Sequence, residues 1–202
     1  MYTYKIQAIL HHVRVFILTY YVYYKKLMES KTTPNPMSYY DYRRDDEYRL
    51  TPEESAHLSA KYEIFNEISR DFPVSLGKEV SKKERDDKNY KETSLTYGEV
   101  DFVSIGEIFE TIKNRYGGIP QGGVFYDLGS GTGKGVIAAA FLHPFQVCKG
   151  IEILEGLFDV SIQFKQKYEE IMPKAVQDHP ELLTHQPKVE FVLGSFFDVR
   201  NI

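Results

Sequence analysis

Cysteine is nearly absent. Cys148 is the single one among 202 residues, which excludes an internal disulfide framework and any zinc site built from several cysteines. An excess of positive charge is also missing. Lys and Arg number 25 against 29 Asp and Glu, a net charge of −4 with pI near 5.9, so the chain lacks the uniformly basic footprint of a stand-alone nucleic-acid binder. A long hydrophobic run is the third absence. The most apolar stretch, Val13–Tyr24, is 12 residues long and carries Arg14, against the ~20 needed to span a bilayer. Lys25-Lys26 follows where a signal peptide would place small residues for cleavage. No membrane-spanning segment is predicted. The stretch reads as a strand-prone or helical piece that packs on something, with a targeting element or sequence upstream of the natural fold as competing readings. What remains, 42% hydrophobic and 27% charged residues, is the balance of a soluble globular chain, and the cysteine usage suits a reducing compartment.

Glycine is all but missing before residue 98: 13 of the 14 lie at or after it, whereas 10 of the 16 tyrosines lie in residues 1–48. Tyrosine pairs an apolar face with a polar tip, and glycine gathers where backbone bends or approaches a ligand. The front half therefore reads as packing or interaction surface and the chemistry is expected behind it. Two regions follow: an N-terminal tyrosine-rich arm with a charged helical or linker stretch over 1–94, and the chemistry-bearing domain over 95–202.

Thr51-Pro52-Glu53-Glu54 supplies a cap, a proline for the first turn and two acids for the positive helix end. A helix from about Pro52 to Arg70 is predicted, with Leu58, Tyr62, Ile64, Phe65 and Ile68 as its apolar stripe. Lys78–Glu92 holds eleven charges of both signs and reads as a solvated linker or exposed helix face, with a partner-binding tail as the alternative. Beyond it helices and strands alternate. A helical stripe runs from Val103 to Ile112. Strands are expected at Val124–Leu128, Gln146–Ile151 and Lys188–Leu193, and helices at Gly133 to about Leu142 and Leu157–Ile171. That alternation implies an α/β fold with a parallel, doubly wound sheet.

Between the first strand and its helix lies Asp127-Leu128-Gly129-Ser130-Gly131-Thr132-Gly133. A phosphate-binding P-loop would need glycine at Leu128 and Ser or Thr at Gly135, so it fails at both ends. A dinucleotide loop would need glycine where Lys134 stands, although Gly129, Gly131 and Gly135 give a looser version. An acid followed by alternate glycines is what S-adenosylmethionine sites of Rossmann-like methyltransferases look like. There Asp127 would orient the loop and accept from the methionine ammonium. Glu152, 23 residues after Gly129, would accept the ribose hydroxyls. A tight strand–helix turn with an unemployed Glu152 is the bland alternative.

Four blocks in order carry a resemblance to a known family. Tyr97-Gly98-Glu99-Val100 resembles the Y-G-E-T segment of the non-SET histone lysine methyltransferases, the disruptor-of-telomeric-silencing family. Phe125-Tyr126-Asp127-Leu128-Gly129-Ser130-Gly131-Thr132-Gly133-Lys134 is similar to its F-x-D-L-G-S-G-x-G-Q loop, Gly150-Ile151-Glu152 to its G-x-E, and Gly194-Ser195-Phe196-Phe197 to its G-D-F segment. The resemblance covers about residues 95–198. It implies a Rossmann-like methyltransferase sheet, S-adenosyl-L-methionine as cofactor, a histone in nucleosomes as protein substrate, and the nucleus as location. It also implies that Ser195 and Phe196 meet the adenine. Val100, Lys134 and Ser195 depart from the family's Thr, Gln and Asp. Glu99 is read either as acting near the cofactor or as holding the loop.

No residue is assigned to catalysis. The family's asparagine-containing loop belongs after a fourth strand, and Ile202 follows the third of an expected seven, so the chain reads as the N-terminal half of the domain. A non-catalytic cofactor-binding or scaffolding fragment is the alternative function, with a nicotinamide-dependent oxidoreductase behind it. The six histidines show no ligand spacing, so no metal site is expected, and Cys148 reads as a plain buried residue. Lys25-Lys26, Arg43-Arg44 and Lys82-Lys83 offer short basic pairs for contact with nucleosomes or DNA.

Overall fold

The computed structural model describes residues 50–90 and 97–195. The expectations for the tyrosine-rich stretch 1–49, for Leu95 and Thr96, and for Phe196 and Phe197 lie outside the described residues. The chain runs α1 (Pro52–Ser69), α2 (Val74–Asp87), α3 (Phe102–Arg115), β1 (Val124–Leu128), α4 (Lys134–Leu142), β2 (Val147–Glu152), α5 (Glu155–Asp178) and β3 (Lys188–Leu193).

The start of α1 follows the local chemistry. The Thr51 N–H donates to the Glu54 carboxylate at 2.9 Å, the Glu54 N–H donates to the Thr51 hydroxyl at 3.2 Å, and Pro52 sits in the first turn. Its buried face is Leu58, Phe65 and Ile68, whereas Tyr62 is 38% exposed with its ring 5.8 Å from that of Phe102. α3 begins where Asp101 accepts from the Ser104 N–H at 3.0 Å and ends before Gly117 and Gly118, both at positive φ.

The charged stretch takes the helical one of its two readings. Val74–Asp87 is a helix with most of its charges exposed, whose inward residues are Gly77 and Ser81, with Leu76 and Val80 packed on the core. Small residues one turn apart let it approach its neighbours closely. One expectation needs correction. α5 is longer than Leu157–Ile171, running through Pro173 to Asp178. Proline forfeits one hydrogen bond of the helix, but Met172 and Ala175 on either side are buried and hold the last turns in place.

The three strands are parallel in the order β1-β2-β3, with Phe125, Cys148 and Val189 aligned in one row and Asp127, Gly150 and Phe191 in the next. Both crossovers, through α4 and α5, step in the same direction along the sheet. Right-handed connections that step one way must lie on one face. α4 and α5 accordingly pack on that face, and α1, α2 and α3 pack on them, so the second helical layer of a doubly wound sheet is not among the described elements. The opposite face presents Tyr126, Lys149 and Glu190, the last two paired at 3.1 Å.

Aromatic rings tie α1 and α3 to α4, one of the sheet's own helices. Phe65 and Phe102 lie 5.9 and 6.5 Å from Phe141 of α4, and Phe72, just after α1, stacks on Phe164 of α5 at 4.6 Å. Burial of each such ring contributes roughly 1.5–3 kcal/mol. No described helix is long and apolar enough to cross a membrane.

Candidate functional site

The site is built at the carboxyl end of the parallel strands, where open α/β sheets place their ligands. Leaving β1, the chain turns back over the sheet, with the N–H groups of Gly129 and Ser130 donating to the Ile151 carbonyl at 2.8 and 3.0 Å. Gly131 and Gly133 both adopt the left-handed region, φ 56° and 85°, and both are pressed by rings. A Cβ on Gly131 would come 2.6 Å from Cε2 of Tyr97, and one on Gly133 would overlap the ring of Phe191. These positions exclude side chains twice over, by backbone conformation and by space.

Tyr97 ties three parts together. Its ring lies between Gly131 of the loop and Gly77 of α2, where a Cβ would overlap it. Its hydroxyl donates to Glu99 and lies 2.9 Å from the Thr132 hydroxyl. Glu99 also accepts from Thr132 Oγ1 at 3.1 Å and pairs with Lys134 Nζ at 2.8 Å, the two side chains being only 10% and 15% exposed. Glu99 thus holds the loop. Lys134 stands in the first turn of α4, where the helix dipole disfavours a cation, and Glu99 offsets that charge.

Glu152 is buried, and both of its oxygens are engaged. Oε2 accepts from the Gly131 N–H at 2.7 Å, and Oε1 accepts from those of Ile153 and Leu154 at 2.8 Å each. A carboxylate offers about four acceptor positions, so one remains, on Oε2, and room for both ribose hydroxyls is not present in this arrangement. Asp127 is the opposite case. Among the described residues no group donates to its carboxylate, and its pKa is pushed up to about 6, first by burial and then by the negative charge of Glu152. Its Oδ2 would stand 2.7 Å from a Cβ on Gly135, which gives the fourth glycine a role unrelated to a dinucleotide fingerprint.

A cleft of about 120 Å³ opens between the loop and the 97–100 segment. Of the residues expected in the site, Tyr97, Gly98, Glu99, Val100, Phe125, Asp127, Gly129, Ser130, Thr132 and Lys134 line it, joined by Ile105 and Gly135. Whole ligand pockets run ~300–1,000 Å³, so this volume suits an amino-acid-sized group. Leu128 stands at the strand end, 43% exposed. Gly131, Gly133 and Glu152 are buried and do not line the cleft. Nor does Tyr126, because strand alternation turns it to the opposite face, where Lys149 Nζ lies 5.9 Å from its ring centroid. Ser195 follows β3, half-buried, and Phe196 lies outside the described residues. The Ser130 hydroxyl is buried with no hydrogen-bond partner among the described residues, an unmet polar group in the loop itself.

A larger open groove of about 410 Å³ runs between α5 and β3, with Lys165, Glu169 and Glu190 on its walls, and no glycine-loop residue lines it. The loop cleft is the candidate site because the Asp127 carboxylate and the Ser130 hydroxyl converge there. Gly77, Gly135, Phe191 and Glu84, the last accepting from the Glu155 and Gly156 N–H groups at 3.0 and 2.7 Å, support the site without any sequence signal that marks them. Each acts on a partner distant in the chain or through a missing side chain.

Among comparisons with known proteins, the family match agrees with the resemblance read from the sequence. The model of the family described as histone methylation protein DOT1 matches residues 77–198. Among solved structures, a protein from Methanococcus maripaludis described as an S-adenosyl-L-methionine-dependent methyltransferase is 21% identical with a TM-score of 0.29, over 53% of this chain and 47% of that one. The chain thus spans about half the length of that structure. No curated protein matches.

Proposed function

The chain belongs to the family of the histone methylation protein DOT1, and from that premise we propose that it transfers a methyl group from S-adenosyl-L-methionine to a lysine side chain of a histone in nucleosomes, in the nucleus. The observation that carries the reading is Asp127, a carboxylate at the wall of the cleft with no described donor and a pKa pushed up to about 6. An ammonium group is the partner it lacks. The remaining acceptor position on Glu152 suits a ribose hydroxyl, and bare backbone at Gly129, with open space where a side chain would stand, admits the ligand. The residues therefore fit this cofactor. A dinucleotide suits them less well, because its pyrophosphate would face the Asp127 carboxylate across the loop.

When bound, the cofactor supplies an electrophilic methyl group on a sulfonium centre. The chain supplies position and charge. Asp127 would accept from the amino-acid ammonium, Glu152 would hold one ribose hydroxyl beside the Gly131 amide, and by the family resemblance Ser195 and Phe196 would meet the adenine. Glu99, bonded to Tyr97, Thr132 and Lys134, keeps the 97–100 segment over the cleft. The incoming lysine has an ordinary pKa of ~10.4, so it reacts only where the surroundings favour its neutral form.

Calorimetric titration of the chain with S-adenosyl-L-methionine tests the reading, with NAD as the control ligand and Asp127→Asn and Glu152→Ala beside it. Saturable binding is expected, weakened roughly tenfold or more by either substitution, since a hydrogen bond to a charged group is worth ~1.5–3 kcal/mol. A folded chain that binds NAD, or binds neither ligand, would overturn it. Methyl transfer to nucleosomes is then the assay for activity.

A further inference from the structure

Four consecutive backbone N–H groups, from Ile153 to Gly156, open α5, and two carboxylates take all four. Glu152 Oε1 accepts from Ile153 and Leu154 at 2.8 Å each, while Glu84 of α2 accepts from Glu155 at 3.0 Å and from Gly156 at 2.7 Å. α5 has no cap of its own, because its N-cap residue is Leu154. Glu84 is only 10% exposed and is anchored by Lys88 at 2.7 Å, which also reaches Glu155 at 3.3 Å. The fit is close: a Cβ on Gly156 would lie 2.6 Å from Cγ1 of Val80 and 3.2 Å from Oε2 of Glu84.

We infer that Glu84 is a positioning residue for the cofactor cleft, acting through Glu152. The first turn of a helix leaves its N–H groups without intrahelical partners and attracts carboxylates. Glu84 satisfies the outer two of the row, which leaves Glu152 Oε2 to hold the Gly131 N–H at 2.7 Å and to offer its remaining acceptor position to a ligand. Without Glu84, the amides of Glu155 and Gly156 lose their acceptors. Glu152 already bonds to the same turn and is drawn further onto it, so Gly131 is released and the glycine loop loosens. Burial would raise the pKa of Glu84, but the bond from Lys88 and those from the Gly156 and Glu155 amides outweigh it and hold the group ionised.

The inference rests on Glu152 belonging to the ligand site, so the test has one arm that needs no ligand. Residue-resolved amide hydrogen exchange is measured on the full chain for wild type, Glu84→Ala and Glu84→Gln. In parallel, S-adenosyl-L-methionine is titrated into these and into Glu152→Ala with and without Glu84→Ala. For Glu84→Ala, protection should fall at Glu155 and Gly156 and also at Gly131, on the far side of Glu152, while the β1–β2 ladder amides stay protected. The dissociation constant should rise about tenfold, the value of one lost hydrogen bond. Glu84→Gln keeps one acceptor oxygen, falls between, and serves if the alanine variant does not fold. In the Glu152→Ala background, loss of Glu84 should add nothing further to the affinity change.

Faster exchange confined to Glu155 and Gly156, with Gly131 unchanged, would reduce Glu84 to a helix cap and overturn the inference. Additive affinity losses in the double variant would do the same. If the wild type binds no S-adenosyl-L-methionine while Gly131 still responds to Glu84, the functional reading fails and the Glu84–Glu152–Gly131 coupling stands.

Discussion

Protonation of Asp127 is the perturbation that reports most directly on the cleft. Its carboxyl titrates at about 6, raised first by burial and then by Glu152, against ~3.9 for an unperturbed aspartate. A ligand ammonium settling beside it supplies the opposite charge and draws the value back toward the ordinary range. Binding is then linked to loss of a proton. Well above pH 6 the carboxylate is ionised and affinity levels off, the free site being half protonated at about pH 6. As pH falls below 6, the free site must give up a proton to bind, and affinity drops until the pKa of the bound state is reached. With ~4 for the bound state, binding at pH 5 is roughly tenfold weaker than at pH 7, and about 0.8 of a proton is released per ligand at pH 5.

The assay is titration calorimetry at pH 5, 6 and 7 at constant ionic strength, in two buffers of different ionisation enthalpy so that the released proton is counted. The range stays below ~7.7, where a free α-amino group begins to lose its own proton. Asp127→Asn should bind weakly at every pH and show neither the slope nor the proton. A dissociation constant that is flat from pH 5 to 7, or a slope that survives in Asp127→Asn, would refute the assignment of the ammonium to Asp127.

The same raised pKa makes Asp127 costly to the ligand-free fold. The penalty is absent well below ~4 and fully present well above about 6, so Asp127→Asn should stabilise the unliganded protein at pH 7.5 by on the order of 1–2 kcal/mol, with the gain falling to roughly a third of that at pH 4.5, as read by urea denaturation. Gly131→Ala combines a left-handed φ of 56° with a 2.6 Å contact to Tyr97. It should cost at least ~1–2 kcal/mol and weaken ligand binding. Lys134→Met leaves Glu99 buried and unpaired and should destabilise by roughly 3 kcal/mol, whereas Lys134→Gln keeps a donor and should lose much less in thermal melts. Lys61 donates to the Phe141 carbonyl at 2.9 Å, and burial lowers its pKa to about 8. Its charged form is penalised below that value and the penalty disappears toward ~10.4, so wild type should gain on the order of 1 kcal/mol relative to Lys61→Met between pH 7.5 and 9.5.

What could be read from the sequence was whatever neighbours in the chain decide. The Thr51–Glu54 cap, the strand–glycine–helix turn, Asp127 at the end of β1 and Glu152 at the end of β2 are all written within a few residues of themselves. For α2 the sequence left a linker and an exposed helix face both open, because its inward face centres on Gly77 and Ser81, which carry no hydrophobic signal. The end of α5 was misread because a proline is a breaker only when nothing beyond it is anchored, and Met172 and Ala175 are. Tyr126 entered the site as part of a contiguous motif, and strand alternation sends its side chain to the face of Lys149, a direction the motif does not carry.

The deeper omission is the meaning of the glycines. Read locally, they permit a turn. In the fold, Gly131 and Gly133 also receive the rings of Tyr97 and Phe191, Gly77 receives the other side of Tyr97, and Gly135 gives way to Asp127. The loop is therefore clamped from both sides by residues that lie roughly 20 to 60 positions away in the chain. A loop of three glycines would be costly to order if backbone freedom were its purpose. Ring contacts, the Glu99–Lys134 pair and the Glu152–Gly131 bond limit that freedom before any ligand arrives, so a ligand meets a cleft whose backbone is already in place. Pre-organisation of this kind is a property of long-range packing. The motif can announce where the ligand lies, but not how firmly its walls are held.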